Sequence, residues 1–122
     1  EKDLWWPWQM GTPRMLSAEL EYRSADGGFN VSDSVATAVR EVSSSLTSEG
    51  SLQFFVNKKP ILLRGAGWAP DLFLRDNATS HSRLMRYVRH MNLNTVRLEG
   101  KFPGEAFFEA ADRAGVMVIA GW

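Results

Sequence analysis

Two segments near the start of the chain alternate between apolar and polar residues. From position 16 to 23 the even positions are apolar or aromatic, and the odd positions are charged or carry a hydroxyl. After the turn sequence Ala25-Asp26-Gly27-Gly28, apolar residues return at odd positions 29, 31, 35 and 39, with Asp33 as an interruption. A period of two is typical of an antiparallel strand with one buried face, and glycine permits the positive φ of a tight turn. The pattern predicts a hairpin of a β-sandwich.

A polar stretch rich in serine, threonine and glycine, residues 43–50, ends this alternation. Such a change of pattern predicts a domain boundary. Beyond it the sequence predicts short strands at residues 53–56 and 60–63. A helix follows, in which apolar residues recur at helical spacing from Leu84 to Met91, including Tyr87. Thr79 or Ser80 is its predicted N-cap.

The last third of the chain predicts a strand, a helix and a second strand. The first strand covers residues 94–99, and the helix runs from about 104 to 114. Glu105 lies in its first turn and Gly115 just past its end, where the helix dipole and the C-terminal cap favour them. The apolar run 116–120 is typical of a parallel strand covered on both faces. With the preceding elements this predicts a βαβαβ run with right-handed crossovers.

Two architectures contain a βαβαβ run: a doubly wound nucleotide-binding sheet and a β/α barrel. Gly65-Ala66-Gly67 is similar to part of a dinucleotide fingerprint. It continues, however, into Trp68-Ala69-Pro70-Asp71 instead of a helix whose N-terminus could hold a pyrophosphate. This excludes a phosphate loop and favours the barrel. A complete barrel needs about 250 residues, so the residues after position 50 can form only its first third.

The predicted strand at residues 94–99 is unusual because it carries two charges on one face. Val96 and Leu98 fall on one side, whereas Arg97 and Glu99 fall on the other with Thr95. In a β/α barrel, this phase places Glu99 at the carboxyl end of the strand, where such barrels keep their chemistry. The alternative is an Arg97 to Glu99 ion pair that only fills the barrel interior.

Composition limits the possible functions. The chain has 122 residues, 14 basic and 14 acidic side chains, 44% hydrophobic residues and no cysteine. Zero net charge argues against nucleic-acid or polybasic membrane partners, and no apolar run reaches the roughly 18 residues of a membrane span. Without cysteine there is neither a disulfide nor a thiolate metal site. We expect no metal and no cofactor. Both ends of the chain resemble cuts through a longer protein.

Two further groups of residues have competing interpretations. The aromatic cluster Leu4-Trp5-Trp6-Pro7-Trp8 could form a sugar-stacking platform, but burial at an edge or domain junction is favoured because large aromatics contribute most by packing. His81 and His90 have no carboxylate or cysteine at ligand spacing, so they are interpreted as surface histidines and not as metal ligands.

Several motifs, taken in order, resemble the glycoside hydrolases of family 2. They are Leu4-Trp5-Trp6-Pro7, Arg40-Glu41, the segment 55–65 with sequence FVNKKPILLRG, and the segment 92–100 with sequence NLNTVRLEG. The pairing of Gly67-Trp68-Ala69-Pro70-Asp71 with Val96-Arg97-Leu98-Glu99-Gly100 is most similar to the exo-β-D-glucosaminidase branch. The resemblance implies an immunoglobulin-like β-sandwich, whose C-terminal part would be residues 1–48. Residues 49–122 would be the first β/α units of a TIM barrel.

The resemblance also implies a function. Full-length proteins of this branch remove terminal β-linked glucosamine from chitosan, and they are most often secreted. Their acid/base glutamate, in an Asn-Glu pair, and their nucleophile glutamate belong to later barrel strands, and no Asn-Glu pair occurs here. The chain alone should therefore be inactive, because retaining hydrolysis needs two carboxylates about 5 Å apart. The partners would be a carbohydrate and the remainder of the polypeptide.

In this interpretation four residues line the subsite for the non-reducing-end sugar: Trp68, Asp71, Arg97 and Glu99. The alternatives are a β-mannosidase or β-galactosidase of the same family, or a carbohydrate-binding or structural sandwich segment without chemistry. Departures from the family pattern include Lys58, where a glycine is usual, and the segment Thr37-Ala38-Val39-Arg40 in place of Phe-Gly-Ile-Arg.

Overall fold

A computed structural model describes residues 3–120 as a mixed α/β chain with three small sheets. Strands β1 (Leu16–Arg23) and β2 (Asn30–Thr37) form an antiparallel pair. Strands β3 (Val42–Leu46), β4 (Leu52–Val56) and β5 (Lys59–Ile61) form an antiparallel sheet. Strand β6 (Gly65–Trp68), helix α1 (Ala78–His90), strand β7 (Thr95–Leu98), helix α2 (Glu105–Ala114) and strand β8 (Met117–Ile119) complete the chain.

The predicted β1–β2 hairpin is confirmed, but its apolar face is not covered. The register runs from Leu16 opposite Thr37 to Arg23 opposite Asn30, as the alternation requires. Leu20 is 72% exposed, and Tyr22 and Val35 are exposed as well. The predicted half-burial is therefore wrong for residues 3–120, since no other described element packs on this face. The sandwich to which the hairpin would belong stays a prediction.

The polar stretch at residues 43–50 is not a linker but part of a second hairpin. Strand β3 pairs with β4 from Val42 opposite Val56 to Leu46 opposite Leu52. Residues 47–50 form the turn, where the Gly50 N–H donates to the Thr47 carbonyl. Ladder hydrogen bonds join backbone groups, so serines can form a strand that has no apolar alternation. The domain division between residues 48 and 49 stays a prediction.

The two helices begin and end at residues with specific capping geometry. The N-cap of α1 is Asn77, whose side chain accepts a hydrogen bond from the Ser80 N–H, and the prediction of Thr79 or Ser80 is wrong. Helix α2 ends at Gly115 in the left-handed region, as predicted. In α1, Met85 and Val88 are buried, whereas Tyr87 and the C-cap residue Met91 are exposed. No helix in the described part of the chain is long and apolar enough to cross a bilayer.

The parallel sheet and its two helices enclose the main core. The strand order is β6-β7-β8, and both neighbouring pairs are parallel, which confirms the predicted βαβαβ run. Val96 and Leu98 of β7 pack with Phe107 of α2 and Met85 of α1. This packing leaves the opposite face of β7 available for polar residues. Closure of the sheet into a barrel stays a prediction.

The N-terminal aromatic cluster packs against the end of α2, as the favoured interpretation expected. Trp5 is fully buried, and its Nε1–H donates to the Asp112 carbonyl at 2.7 Å. The Arg40 guanidinium lies 4.4 Å from the centre of the Trp5 ring and binds the Asp112 carboxylate at 2.8 Å. Trp8 donates from Nε1 to the Leu93 carbonyl. These contacts join the segment around residue 40 to the βαβαβ unit.

Candidate functional site

The carboxyl ends of β6 and β7 lie side by side at one edge of the parallel sheet. Trp68 is the last residue of β6 and pairs with Leu98 of β7. The Glu99 N–H donates to the Trp68 carbonyl at 2.9 Å, which continues the ladder one residue past β7. The loop at residues 69–77 follows β6, and the loop at residues 99–104 follows β7. This edge therefore brings together the chain segments that carry all four predicted site residues.

Arg97 and Glu99 lie on the face of β7 that is opposite the core. Val96 and Leu98 are buried, whereas the Arg97 and Glu99 side chains are 62% and 50% exposed, so the predicted phase is observed. Arg97 Nε is 3.8 Å from Glu99 Oε1, which is too long for a hydrogen bond. The Glu99 carboxylate lies above Gly67, where a Cβ would come within 3.2 Å of Oε1. Glycine at position 67 thus leaves room for this carboxylate.

Trp68 forms the boundary between the core and the open edge. Its indole packs on the Phe107 ring with 4.7 Å between ring centres, and the residue is half-buried. Trp68 also lines a pocket of about 350 Å³, together with Asp71, Arg75, Asn77, Ser80, His81 and Leu84. The structure therefore brings Trp68 and Asp71 to one pocket. Arg97 and Glu99 lie outside this lining and adjoin it through the backbone of Trp68.

Asp71 is held by an arginine that the sequence analysis did not select. Its two carboxylate oxygens accept hydrogen bonds from Arg75 Nε at 3.0 Å and from Arg75 Nη2 at 2.7 Å. The Phe73 N–H donates to the same carboxylate at 2.9 Å. The hydrogen bonds from Arg75 and Phe73 lower the pKa of Asp71 to about 2. The guanidinium that keeps Asp71 ionised is thus that of Arg75, which is not among the four predicted site residues.

The prediction that His81 lies on the surface is wrong. His81 is only 6% exposed, whereas His90 is exposed as expected. Its ring meets the Phe107 ring edge-on at 5.3 Å, and its Nε2 is hydrogen-bonded to Asp76 Oδ1. The signal was present in the helical pattern: positions 81, 85 and 88 lie on one face of α1.

Asp76 completes this group at the N-terminal ends of both helices. Its Oδ2 accepts a hydrogen bond from the Gly104 N–H, the N-cap of α2, at 3.1 Å. The hydrogen bonds from His81 and Gly104 lower the pKa of Asp76. The edge therefore carries two carboxylates that other groups hold in place, Asp71 with Arg75 and Asp76 with His81 and Gly104. Among residues 3–120, no group of three or more potential ligands is arranged to hold a metal ion.

Comparison with known proteins gives matches over nearly the whole chain. No protein-family model matches. An exo-β-D-glucosaminidase from Amycolatopsis orientalis is 42% identical over 122 residues, which is 98% of this chain and 12% of that protein. A mouse β-mannosidase is 28% identical over 127 residues, which covers 95% of this chain and 14% of that protein. The chain thus spans about one-eighth of the length of these relatives.

Solved structures give the same result. The crystal structure of Amycolatopsis orientalis exo-chitosanase CsxA matches with a TM-score of 0.89 and 40% identity, over 98% of this chain and 14% of that chain. A variant of that enzyme in complex with PNP-β-D-glucosamine matches with a TM-score of 0.86. The described fold, with its antiparallel and parallel sheets, therefore matches a segment of a larger structure.

Proposed function

This chain is homologous to a segment of the exo-β-D-glucosaminidases of glycoside hydrolase family 2, and from this premise we propose that it is part of a retaining hydrolase that cleaves terminal β-linked glucosamine from chitosan or its oligosaccharides. The observation that carries the proposal is the exposed carboxylate of Glu99 at the carboxyl end of β7. Active sites of β/α barrels lie at that end of the strands. Glucosamine carries a cationic amine, and an ionised carboxylate is its natural partner.

The four candidate residues take distinct roles in this proposal. Glu99 binds the amine through a charge-assisted hydrogen bond, since its contact with Arg97 at 3.8 Å leaves its acceptor capacity free. Asp71, which its hydrogen bonds from Arg75 keep ionised, adds a second carboxylate on the neighbouring loop. Trp68 supplies an apolar wall for the sugar ring. Arg97 limits the repulsion between the two carboxylates.

The chemical step is assigned to residues outside this chain. Retaining hydrolysis needs an acid/base carboxylate and a nucleophile carboxylate about 5 Å apart across the scissile bond. We assign both to other parts of the full-length protein, so this chain alone does not turn over substrate. Its contribution is the recognition of the sugar that occupies the non-reducing end.

A β-mannosidase is the second candidate, supported by the match to the mouse enzyme at 28% identity. Mannose carries a neutral hydroxyl at carbon two, which can donate a hydrogen bond to a carboxylate but cannot form an ion pair with it. The exposed carboxylates of Asp71 and Glu99 therefore favour glucosamine. A direct comparison of aryl glucosaminide and aryl mannoside turnover distinguishes the two candidates.

The proposal predicts the effect of Glu99→Gln in the full-length protein. The substitution removes the charge but keeps the size of the side chain. A hydrogen bond between charged groups contributes on the order of 2 kcal/mol, so kcat/KM on an aryl glucosaminide should fall roughly thirtyfold or more. Activity on a neutral aryl glucoside should fall much less.

Glu19→Gln is the matched control, because Glu19 is an exposed glutamate on β1. It should leave both activities at the wild-type level. Equal losses on both substrates for Glu99→Gln would assign Glu99 a structural or general catalytic role. Unchanged activities would indicate that Arg97 and Glu99 form only an ion pair.

A further inference from the structure

The side chain of Asp76 links the two loops at the edge of the sheet by a hydrogen bond. It lies at the end of the loop at residues 69–77, which carries Asp71. Through Oδ2 it accepts the N–H of Gly104, the last residue of the loop that begins at Glu99. Through Oδ1 it is hydrogen-bonded to His81 in the first turn of α1. One carboxylate thus joins two segments that are 28 residues apart in sequence.

The partners of Asp76 are themselves held in place. The buried ring of His81 packs edge-on against Phe107, and Phe107 is fully buried against Trp68. His81 therefore cannot move without disturbing the aromatic packing under the candidate site. Because a buried aromatic group has few alternative positions in a close-packed core, this packing fixes the orientation of the Asp76 carboxylate.

Gly104 has no side chain that would block the approach of the Asp76 carboxylate to its N–H. A Cβ at position 104 would lie 2.6 Å from Asp76 Oδ2, which is closer than side-chain carbons approach other atoms. The φ of Gly104 is −70°, so its backbone conformation is open to other residues. The reason for glycine at this position is the close approach of the Asp76 carboxylate.

We propose that Asp76, oriented by His81, is a positioning residue that fixes the loop of Asp71 relative to the loop of Glu99. It touches no substrate atom; it sets the separation of the two carboxylates that bind the amine. This role rests on the proposed function, because the consequence for binding exists only if Asp71 and Glu99 recognise the sugar. We call the hydrogen bond between the Asp76 carboxylate and the Gly104 N–H the clamp. It is a property of the fold, and its effect on the two loops can be measured without substrate.

The test uses the full-length protein with Asp76→Ala and Gly104→Ala. Gly104→Ala displaces the carboxylate while Asp76 and His81 stay unchanged, so it reports on the contact even if Asp76→Ala yields little folded protein. Hydrogen exchange should become at least about tenfold faster in both loops, residues 69–77 and 99–104, because a charge-assisted hydrogen bond no longer opposes local opening. KM for an aryl glucosaminide should rise severalfold with kcat nearly unchanged.

Two further variants separate positioning from general destabilisation. Asp76→Asn keeps an acceptor for the Gly104 N–H and should recover part of the slow exchange in residues 99–104. Asp33→Ala removes an exposed aspartate of β2 and should change neither exchange in the loops nor KM. Unchanged exchange in residues 99–104 for both Asp76→Ala and Gly104→Ala would overturn the clamp.

The kinetic measurements show whether the contact between Asp76 and Gly104 affects binding of the sugar. Faster exchange with an unchanged KM, or with a fall in kcat alone, would overturn the positioning role. If the full-length protein has no glucosaminidase activity, the proposed function fails. The hydrogen-exchange measurement would then still show whether Asp76 holds the two loops together.

Discussion

At the scale of single residues, the carboxylate of Asp71 is the group whose ionisation the structure controls most clearly. Its pKa falls from 3.8 to about 2, chiefly because Arg75 donates two hydrogen bonds to the charged form. A depressed pKa means that the contribution of the pair is complete above about pH 4 and is lost as the pH falls toward 2. Asp71 therefore keeps its charge in mildly acidic media.

Under the proposed function, removal of the Arg75 guanidinium should make sugar binding sensitive to mild acid. In the full-length protein, Arg75→Met should return the pKa of Asp71 toward 3.8, so that binding of free glucosamine weakens as the pH falls from about 5 to 3. The wild-type affinity should change less over this range. Calorimetric titrations at several pH values provide the measurement.

Arg83→Met is the matched control for this variant, because Arg83 is an exposed arginine of α1. It should follow the wild-type pH profile. An Arg75→Met profile that coincides with the wild-type profile would contradict the assignment of the low Asp71 pKa to Arg75.

At the scale of elements, the end of α2 shows how a cap and a tertiary contact share one residue. Gly115 has a φ of +71°, and its N–H donates to the Asp112 carbonyl. The Trp8 N–H donates to the Gly115 carbonyl at 3.0 Å. A Cβ at position 115 would lie 2.7 Å from the Trp8 nitrogen. Glycine here permits both the left-handed cap and the docking of the aromatic cluster.

Alanine at position 115 should therefore cost more than alanine at another glycine of positive φ. Gly27 has a φ of +72° with no atom within 4 Å of an added Cβ, so Gly27→Ala isolates the backbone penalty of about 1 kcal/mol. Gly115→Ala should lower the free energy of unfolding by roughly 2 kcal/mol or more, because it also displaces the backbone at Trp8.

Denaturant unfolding of the full-length protein, followed by tryptophan fluorescence, compares the two variants. Equal losses of stability would show that the backbone near Trp8 adapts to the added methyl group at no cost.

At the scale of the whole molecule, residues 3–120 bury one main core and leave other apolar surfaces open. The core lies between the parallel sheet and its helices. The apolar face of the β1–β2 hairpin is exposed, as are Tyr87 of α1, its C-cap Met91 and the loop residues Leu72 and Phe73. Contiguous exposed apolar surface is uncommon in stable monomers and marks contact with other chain segments.

The isolated chain should consequently be poorly stable. Its exposed apolar faces and open sheet edges lack partners, so we expect no cooperative thermal transition and strong binding of a hydrophobic dye. A chromogenic glucosaminide should not be turned over. Full-length protein is the control for both measurements. A sharp transition with native side-chain signals would contradict the instability, and turnover would contradict the assignment of catalysis to residues elsewhere.

Local features of the structure could be predicted from the sequence because neighbouring residues decide them. The alternation at positions 16–23 predicted the β1–β2 hairpin, and Gly115 predicted the end of α2. The opposite faces of β7, with Leu98 buried and Glu99 exposed, followed from the period of a strand. In each case the backbone geometry of a single element determines, from the position of a residue in the sequence, which way its side chain points.

Other features depend on contacts between distant segments, and the tertiary structure alone decided them. Strand β3 exists because its backbone pairs with β4, although its serines carry no apolar signal. His81 is buried because α1 turns it toward Phe107, and Asp76 reaches Gly104 because two loops meet at one edge. The Asp71–Arg75 pair is local, but it forms in the irregular turn at residues 71–75, where no helix or strand period fixes the direction of a side chain. The energies of such contacts depend on positions in space, which spacing along a chain does not specify.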